Sequence, residues 1–163
     1  MTSFLEPDFE PPVDLEGFRV RRARLGRQAG AERLGVSLFE IEPGNARFPL
    51  HYHLGNEELL IVLTGAPTLR TEAGERGLAE GEVVSLPAGK EGIHQVINRS
   101  ETPARILIVS EMNAPDIVLR PESGKLSAFG APPGSLEGFH DAYFRRDAVE
   151  FWDGEEPPPP PRS

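Results

Sequence analysis

At 163 residues the chain has the length of one domain with tails rather than two domains. Its formal charge of −9, with no Lys/Arg stripe, excludes a reader of the phosphate backbone, and no apolar run approaches the roughly 20 residues of a membrane span. The absence of cysteine excludes disulfides, thiolate metal sites and cysteine nucleophiles.

Glycine and proline, 17 residues each, predict frequent turns and few long helices. Residues 1–17 read as an N-terminal arm. Phe4, Leu5, Phe9, Val13 and Leu15 give it apolar groups to bury, against the domain or a partner subunit, while its prolines deny it a helix. The arm lacks the basic and apolar regions of a signal peptide, so the sequence reads as a soluble cytoplasmic protein. Short strand signals then follow at spacings near ten. They are "FRVRRARL" (18–25), "RLGVSLFEI" (33–41), "RFPLHYH" (47–53) and "ELLIVLTG" (58–65). "TLRT" and "RGLA" flank the turn "EAGE" as a hairpin, before "EVVSLP" (82–87), "IHQVIN" (93–98), "ARILIVSEM" (104–112) and "DIVLR" (116–120). This pattern predicts an all-β antiparallel sandwich or barrel over residues 18–120. "LLIVL" and "ILIV", apolar on both faces, are expected as central strands covered on both sides. Residues 121–154 form a C-terminal extension expected to pack on the barrel, with a short helix over 140–152. Residues 155–163 form a Pro-rich, disordered tail.

Two of the four histidines sit in "HYHLGNEELLIVLTG" (51–65). Alternation along a strand points His51 and His53 to one face and Tyr52 to the other. Two imidazoles on one face can converge on one ion. The turn "LGN" brings Glu57 and Glu58 back beside them, and a carboxylate there offers an anionic ligand. Only one of the two can face inward, and periodicity does not choose, because residues 59–63 are apolar throughout. The competing reading is a solvated strand face. A second block, "GEVVSLPAGKEGIHQVIN" (81–98), weighs against it by placing a third histidine, His94, after a Pro/Gly-rich turn.

Together these blocks resemble the two motifs of the cupin superfamily, as a small single-domain member. Gly44, His51, His53, Glu58 and Gly65 fit the first motif, and Gly81, Pro87, Gly89, His94 and Asn98 the second. Two spacings depart slightly: six residues separate Gly44 from His51, and four separate Gly89 from His94. The resemblance selects Glu58 over Glu57. It implies a double-stranded β-helix, or jelly-roll barrel, holding one divalent transition metal (Zn, Fe, Mn, Ni or Cu) on His51, His53, Glu58 and His94. Three neutral imidazoles and a carboxylate suit any of these ions, so the donors do not identify the metal. The resemblance also implies a small-molecule substrate or ligand and a homodimer.

The remaining polar residues carry weaker signals. Asn98 and Gln95 read as orienting groups for ligands or as ordinary loop–strand hydrogen bonders. Arg47, Arg70 and Arg105 read as solvated strand residues rather than partners of an acidic substrate, and His140 as a surface or packing residue. Phe129, Phe139, Phe144, Phe151 and Trp152 are expected to cover one barrel end or a dimer interface. No Ser/His/Asp arrangement and no phosphate loop occurs, and no catalytic residue is assigned beyond the ligands. The expected function is a metal-dependent enzyme, dioxygenase-like or isomerase/lyase-like. A non-catalytic binding barrel and a scaffold are the alternatives.

Overall fold

Side chains on the central strands alternate between sealed and half-covered, and that alternation builds the barrel. In the computed structural model, which describes residues 2–132 and 138–156, β1 (Val20–Ala23), β2 (Leu34–Ile41), β4 (Glu58–Thr64), β7 (Val83–Leu86) and β9 (Ala104–Glu111) form one sheet. Their spatial order is β1-β2-β9-β4-β7, and every pairing is antiparallel. The inward residues Phe39, Ile41, Leu60, Val62, Ile106 and Ile108 are almost fully sealed. They meet Leu69 and Val96 from a facing three-stranded sheet, formed by β5 (Thr68–Thr71), β6 (Gly74–Gly77) and β8 (Gln95–Ile97). A third sheet joins β3 (Tyr52–His53), β10 (Asp116–Arg120), β11 (Lys125–Phe129) and β12 (His140–Phe144). The three sheets close as a jelly-roll barrel.

The apolar runs do form central strands, with β9 seated between β2 and β4. Their outer face is only half covered. Phe9 of the arm and Leu25 pack there with Leu38, Leu63 and Leu107, while Leu59, Ile61 and Val109 stay half-buried. The arm lies along β1 of its own chain: the Glu10 N–H donates to Arg22 O at 2.8 Å, and Val13 bridges to Val20.

Four segments differ from the sequence expectation. After β1 the chain makes a four-residue helix, α1 (Leu25–Gln28), in a stretch where no helix was expected and whose first residue closed the expected strand 18–25. Gly26 allows it, since a Cβ there would lie 2.8 Å from the Val36 nitrogen. Within 47–53 only Tyr52–His53 is laddered, because Pro49 has no N–H to donate. Residues 46 and 51 instead make single bridges, to Ile97 and His94. The β5–β6 hairpin turns on Glu72 and Ala73 alone, so Gly74 begins the return strand. Residues 140–147 form an edge strand on β11 and a 3₁₀ turn (Arg145–Asp147) instead of a helix. Phe139, Tyr143, Phe151 and Trp152 are exposed, and His140 stacks on Phe129 at 4.0 Å. The five prolines of the tail, 157–161, lie outside the described residues. Among the described residues no helix is long and apolar enough to cross a membrane.

Candidate metal centre

The barrel interior collects the four residues singled out in the sequence. His51 and His94 sit opposite one another across a two-way backbone bridge: the His51 N–H donates to His94 O at 3.1 Å, and the His94 N–H returns to His51 O at 2.9 Å. Their ring centroids lie 4.5 Å apart. His53 ends β3, and Glu58 opens β4 on its inward face, as alternation with Leu60 and Val62 requires. Glu57 points outward and accepts from the Ser85 hydroxyl at 2.9 Å. One donor atom each from His51, His53 and Glu58 lie within 4.8 Å of one another. His94 joins them through its Nε2, 3.3 Å from Glu58 Oε2. The loop before His94 is held tightly. A Cβ at Gly92 would fall 1.8 Å from Pro87 O, so this position admits only glycine without displacement.

Each imidazole is anchored by the same ring nitrogen. Nδ1 of His51 faces Pro49 O at 2.9 Å, Nδ1 of His94 faces Gly92 O at 2.9 Å, and Nδ1 of His53 faces Asp116 Oδ2 at 2.6 Å. A carbonyl or carboxylate can only accept, so these contacts assign the proton to Nδ1 and leave each Nε2 with a lone pair. Glu58 Oε2 and His94 Nε2 are buried and make no hydrogen bond. Buried polar atoms without partners are rare. Here a carboxylate oxygen and an imidazole lone pair are left facing one another, which a cation between them would satisfy. The donor set, three neutral nitrogens and one anionic oxygen, therefore fits a divalent transition metal.

Electrostatics hold the carboxylate ionised. Burial pushes the Glu58 carboxyl up. The Arg47 guanidinium outweighs that and keeps it well below the usual carboxylate range. Burial, reinforced by His94 and Arg47, lowers His51 well below the ordinary histidine value of 6.5. Both shifts act in one direction. The folded state takes up fewer protons than the unfolded chain, so stability falls on acidification. The His51 contribution declines as pH drops below about 6.5 and that of Glu58 below about 4.5. Urea midpoints of metal-free protein are therefore expected to fall from about pH 7.5 to about pH 5.5; a flat profile across that window rejects the buried neutral His51.

Asp116 belongs to the site and carried no sequence signal, because it lies 63 residues from His53. Burial raises its carboxyl, but hydrogen bonds from His53, Asn56 and the Gly55 N–H lower it overall. A carboxylate behind a ligating histidine fixes the ring and makes Nε2 more basic. Asp116→Asn is expected to weaken metal binding roughly 10- to 100-fold while the fold persists. Competition against a chelator measures this, and an unchanged affinity removes Asp116 from the site.

The secondary candidates separate cleanly. Asn98 donates to Ile41 O and Thr102 O, both at 2.8 Å, and so ties loop to strand. Gln95 donates to Phe48 O at 2.9 Å and accepts from Arg70. Arg105 pairs with Glu40 on the outer face. Arg47 departs from the expectation of a solvated residue. It is 7 % exposed, its guanidinium lies 4.4 Å from the Phe39 ring and 4.8 Å from the Phe48 ring, and its Nη2 is 3.5 Å from Glu58 Oε1.

A family model described as "Cupin domain" matches residues 37–110. None of the curated proteins matches the sequence. Among solved structures, a candidate sugar phosphate isomerase from Acidithiobacillus ferrooxidans is 25 % identical, with a TM-score of 0.71, over 82 % of this chain and 81 % of its own. A sugar phosphate isomerase of the cupin superfamily from Silicibacter pomeroyi is 22 % identical, with a TM-score of 0.77, over 94 % and 98 %. A predicted oxalate decarboxylase from Thermotoga maritima is 20 % identical, with a TM-score of 0.57, over 68 % and 97 %. The last two are likenesses of fold.

Proposed function

Since residues 37–110 match a cupin domain, we propose that this chain is a small cupin and a metal-dependent enzyme acting on a small organic substrate. His51, His53, Glu58 and His94 hold the ion. The observation that carries this reading is the pair of buried, unpartnered atoms, Glu58 Oε2 and His94 Nε2, within a set of imidazoles all anchored through Nδ1. A bound Zn, Fe, Mn, Ni or Cu ion supplies Lewis-acid polarisation of a carbonyl or hydroxyl oxygen, and iron adds redox chemistry with dioxygen. The chain's own residues do the rest. Pro49 O, Gly92 O and Asp116 fix the tautomers, and the apolar walls exclude water. His53, whose side chain is 16 % exposed, is the most exposed of the four ligands.

Between the chemistries, likeness to the candidate sugar phosphate isomerase supports isomerisation over oxygenation. The test is direct. Protein loaded in turn with each of the five metals is assayed for aldose–ketose interconversion and for oxygen consumption. Turnover of an aldose or ketose without oxygen uptake supports the isomerase reading, and substrate-dependent oxygen uptake assigns a dioxygenase instead. Binding without product under any metal leaves a small-ligand binding protein. The same proposal takes residues 18–120 as the barrel, with β11 and β12 extending its third sheet, of a cytoplasmic homodimer that contacts no nucleic acid. Half-buried Leu59, Ile61 and Val109 beside exposed Leu34 and Val83 support the dimer, which sedimentation can check.

A further inference from the structure

Arg47 is more deeply placed than its ion pair explains. A guanidinium has five N–H donors and no acceptor. Nη2 faces Glu58 Oε1 at 3.5 Å, and the guanidinium carbon lies 4.4 Å from the Phe39 ring and 4.8 Å from the Phe48 ring, two rings set at 76° to each other. Nε and Nη1 are buried and donate to nothing. These two nitrogens lie on opposite sides of Nη2, so each fork of the guanidinium keeps an unused donor.

Charge balance points the same way. A divalent ion on the ligands, with Arg47, brings three positive charges into the interior. Glu58 and Asp116 return two. The centre is then left with one uncompensated positive charge in a setting that excludes water, where charge must be paired.

We propose that Arg47 is the anion-binding half of the site. It takes an oxyanion group of the substrate, carboxylate or phosphate, while another oxygen of the same molecule reaches the metal position. The substrate class is therefore a small organic acid or phosphate ester, short enough to span from the guanidinium to a centre one carboxylate away. The two phenylalanine rings pack around the guanidinium and hold it in place, and lysine would lack its planar fork of donors. Arg70 and Arg105 do not compete for the role, since each is already paired, Arg70 with Gln95 and Glu122 and Arg105 with Glu40 on the outer face.

This inference rests on the metal-centre reading, and its test separates the two. Elemental analysis of the wild type decides whether metal is present. Glycolate and inorganic phosphate are then titrated calorimetrically into metal-loaded wild type and Arg47→Gln. The expected result is binding to the wild type, weakened roughly 10- to 100-fold in Arg47→Gln loaded to the same metal content, which elemental analysis checks. The tighter of the two probes identifies carboxylate or phosphate as the group. If neither anion binds the loaded wild type, or if Arg47→Gln binds as well as the wild type, the proposal is overturned and the metal centre stands. Should Arg47→Gln fail to fold, Arg47→Lys decides, since it keeps the charge and loses the fork. About tenfold weaker anion binding supports the proposal, and equal binding overturns it.

Discussion

Glu58→Gln is expected to cost about 3–5 kcal/mol of folding stability in the metal-free protein, before any ligand is considered. Among the described residues Glu58 is the carboxylate in ion-pair contact with Arg47, and both side chains are at most 7 % exposed. Removing the negative charge leaves a buried guanidinium with only the Phe39 and Phe48 rings to offset it. Such contacts are worth about 2 kcal/mol when desolvated, less than the cost of an unpaired buried charge. Glutamine preserves the volume, so a cavity does not enter the comparison. The companion Arg47→Met/Glu58→Leu variant removes both charges and is expected to recover most of the loss, because replacing a buried pair with apolar groups is often neutral. Urea titrations at about pH 7.5 in chelator give all three values. A Glu58→Gln protein as stable as wild type would mean that Arg47 is balanced elsewhere and that the pair has been misjudged.

The sequence made the fold and the ligands legible for different reasons. The strands at 34–41, 58–64 and 104–111 were visible because their apolar runs have strand length and are bounded by Gly, Pro and polar clusters. Their order was not, since β9 enters between β2 and β4 from more than 40 residues away and pairing of that range leaves no local trace. His51, His53, Glu58 and His94 were visible because two local motifs carry them at fixed spacings. Asp116 was hidden by the same logic. It reaches His53 only through the register that sets Val118 opposite His53, and "DIVLR" has nothing to announce it.

Arg47 is the instructive case. The parity that puts His51 and His53 on one face puts residue 47 there too, so the signal existed. It was outweighed by the general cost of burying a guanidinium, which makes a solvated arginine the ordinary expectation. The exception arises because a carboxylate and two aromatic rings meet it inside the barrel. The segment 140–147 failed in the opposite way. Its local pattern suits a short helix, yet the free edge of β11 offers it a five-residue ladder, and tertiary context prevails over weak propensity.

The His51→Ala/His94→Ala variant is expected to lose bound metal entirely, from about one equivalent per chain to none. Losing only a partner behind a ligand weakens metal sites roughly 10- to 100-fold, and losing a ligand itself removes a bond to the ion. The two histidines stand on opposite sides of the bridge, so the variant leaves His53 and Glu58 as an incomplete set. The fold is expected to survive. The sealed cluster of Phe39, Ile41, Leu60, Val62, Ile106 and Ile108 does not depend on either imidazole, and the main-chain bonds between residues 51 and 94 remain available to alanine. What does change is the response to metal. An ion that binds only the folded state at about 100 times its Kd adds about 2.7 kcal/mol to the wild type, which a thermal melt reads as a clear rise. The double variant should show no rise. Retention of one equivalent in tag-free double variant, with its melting temperature still raised by metal, would place the ion outside the barrel and remove the ground for reading the centre as catalytic.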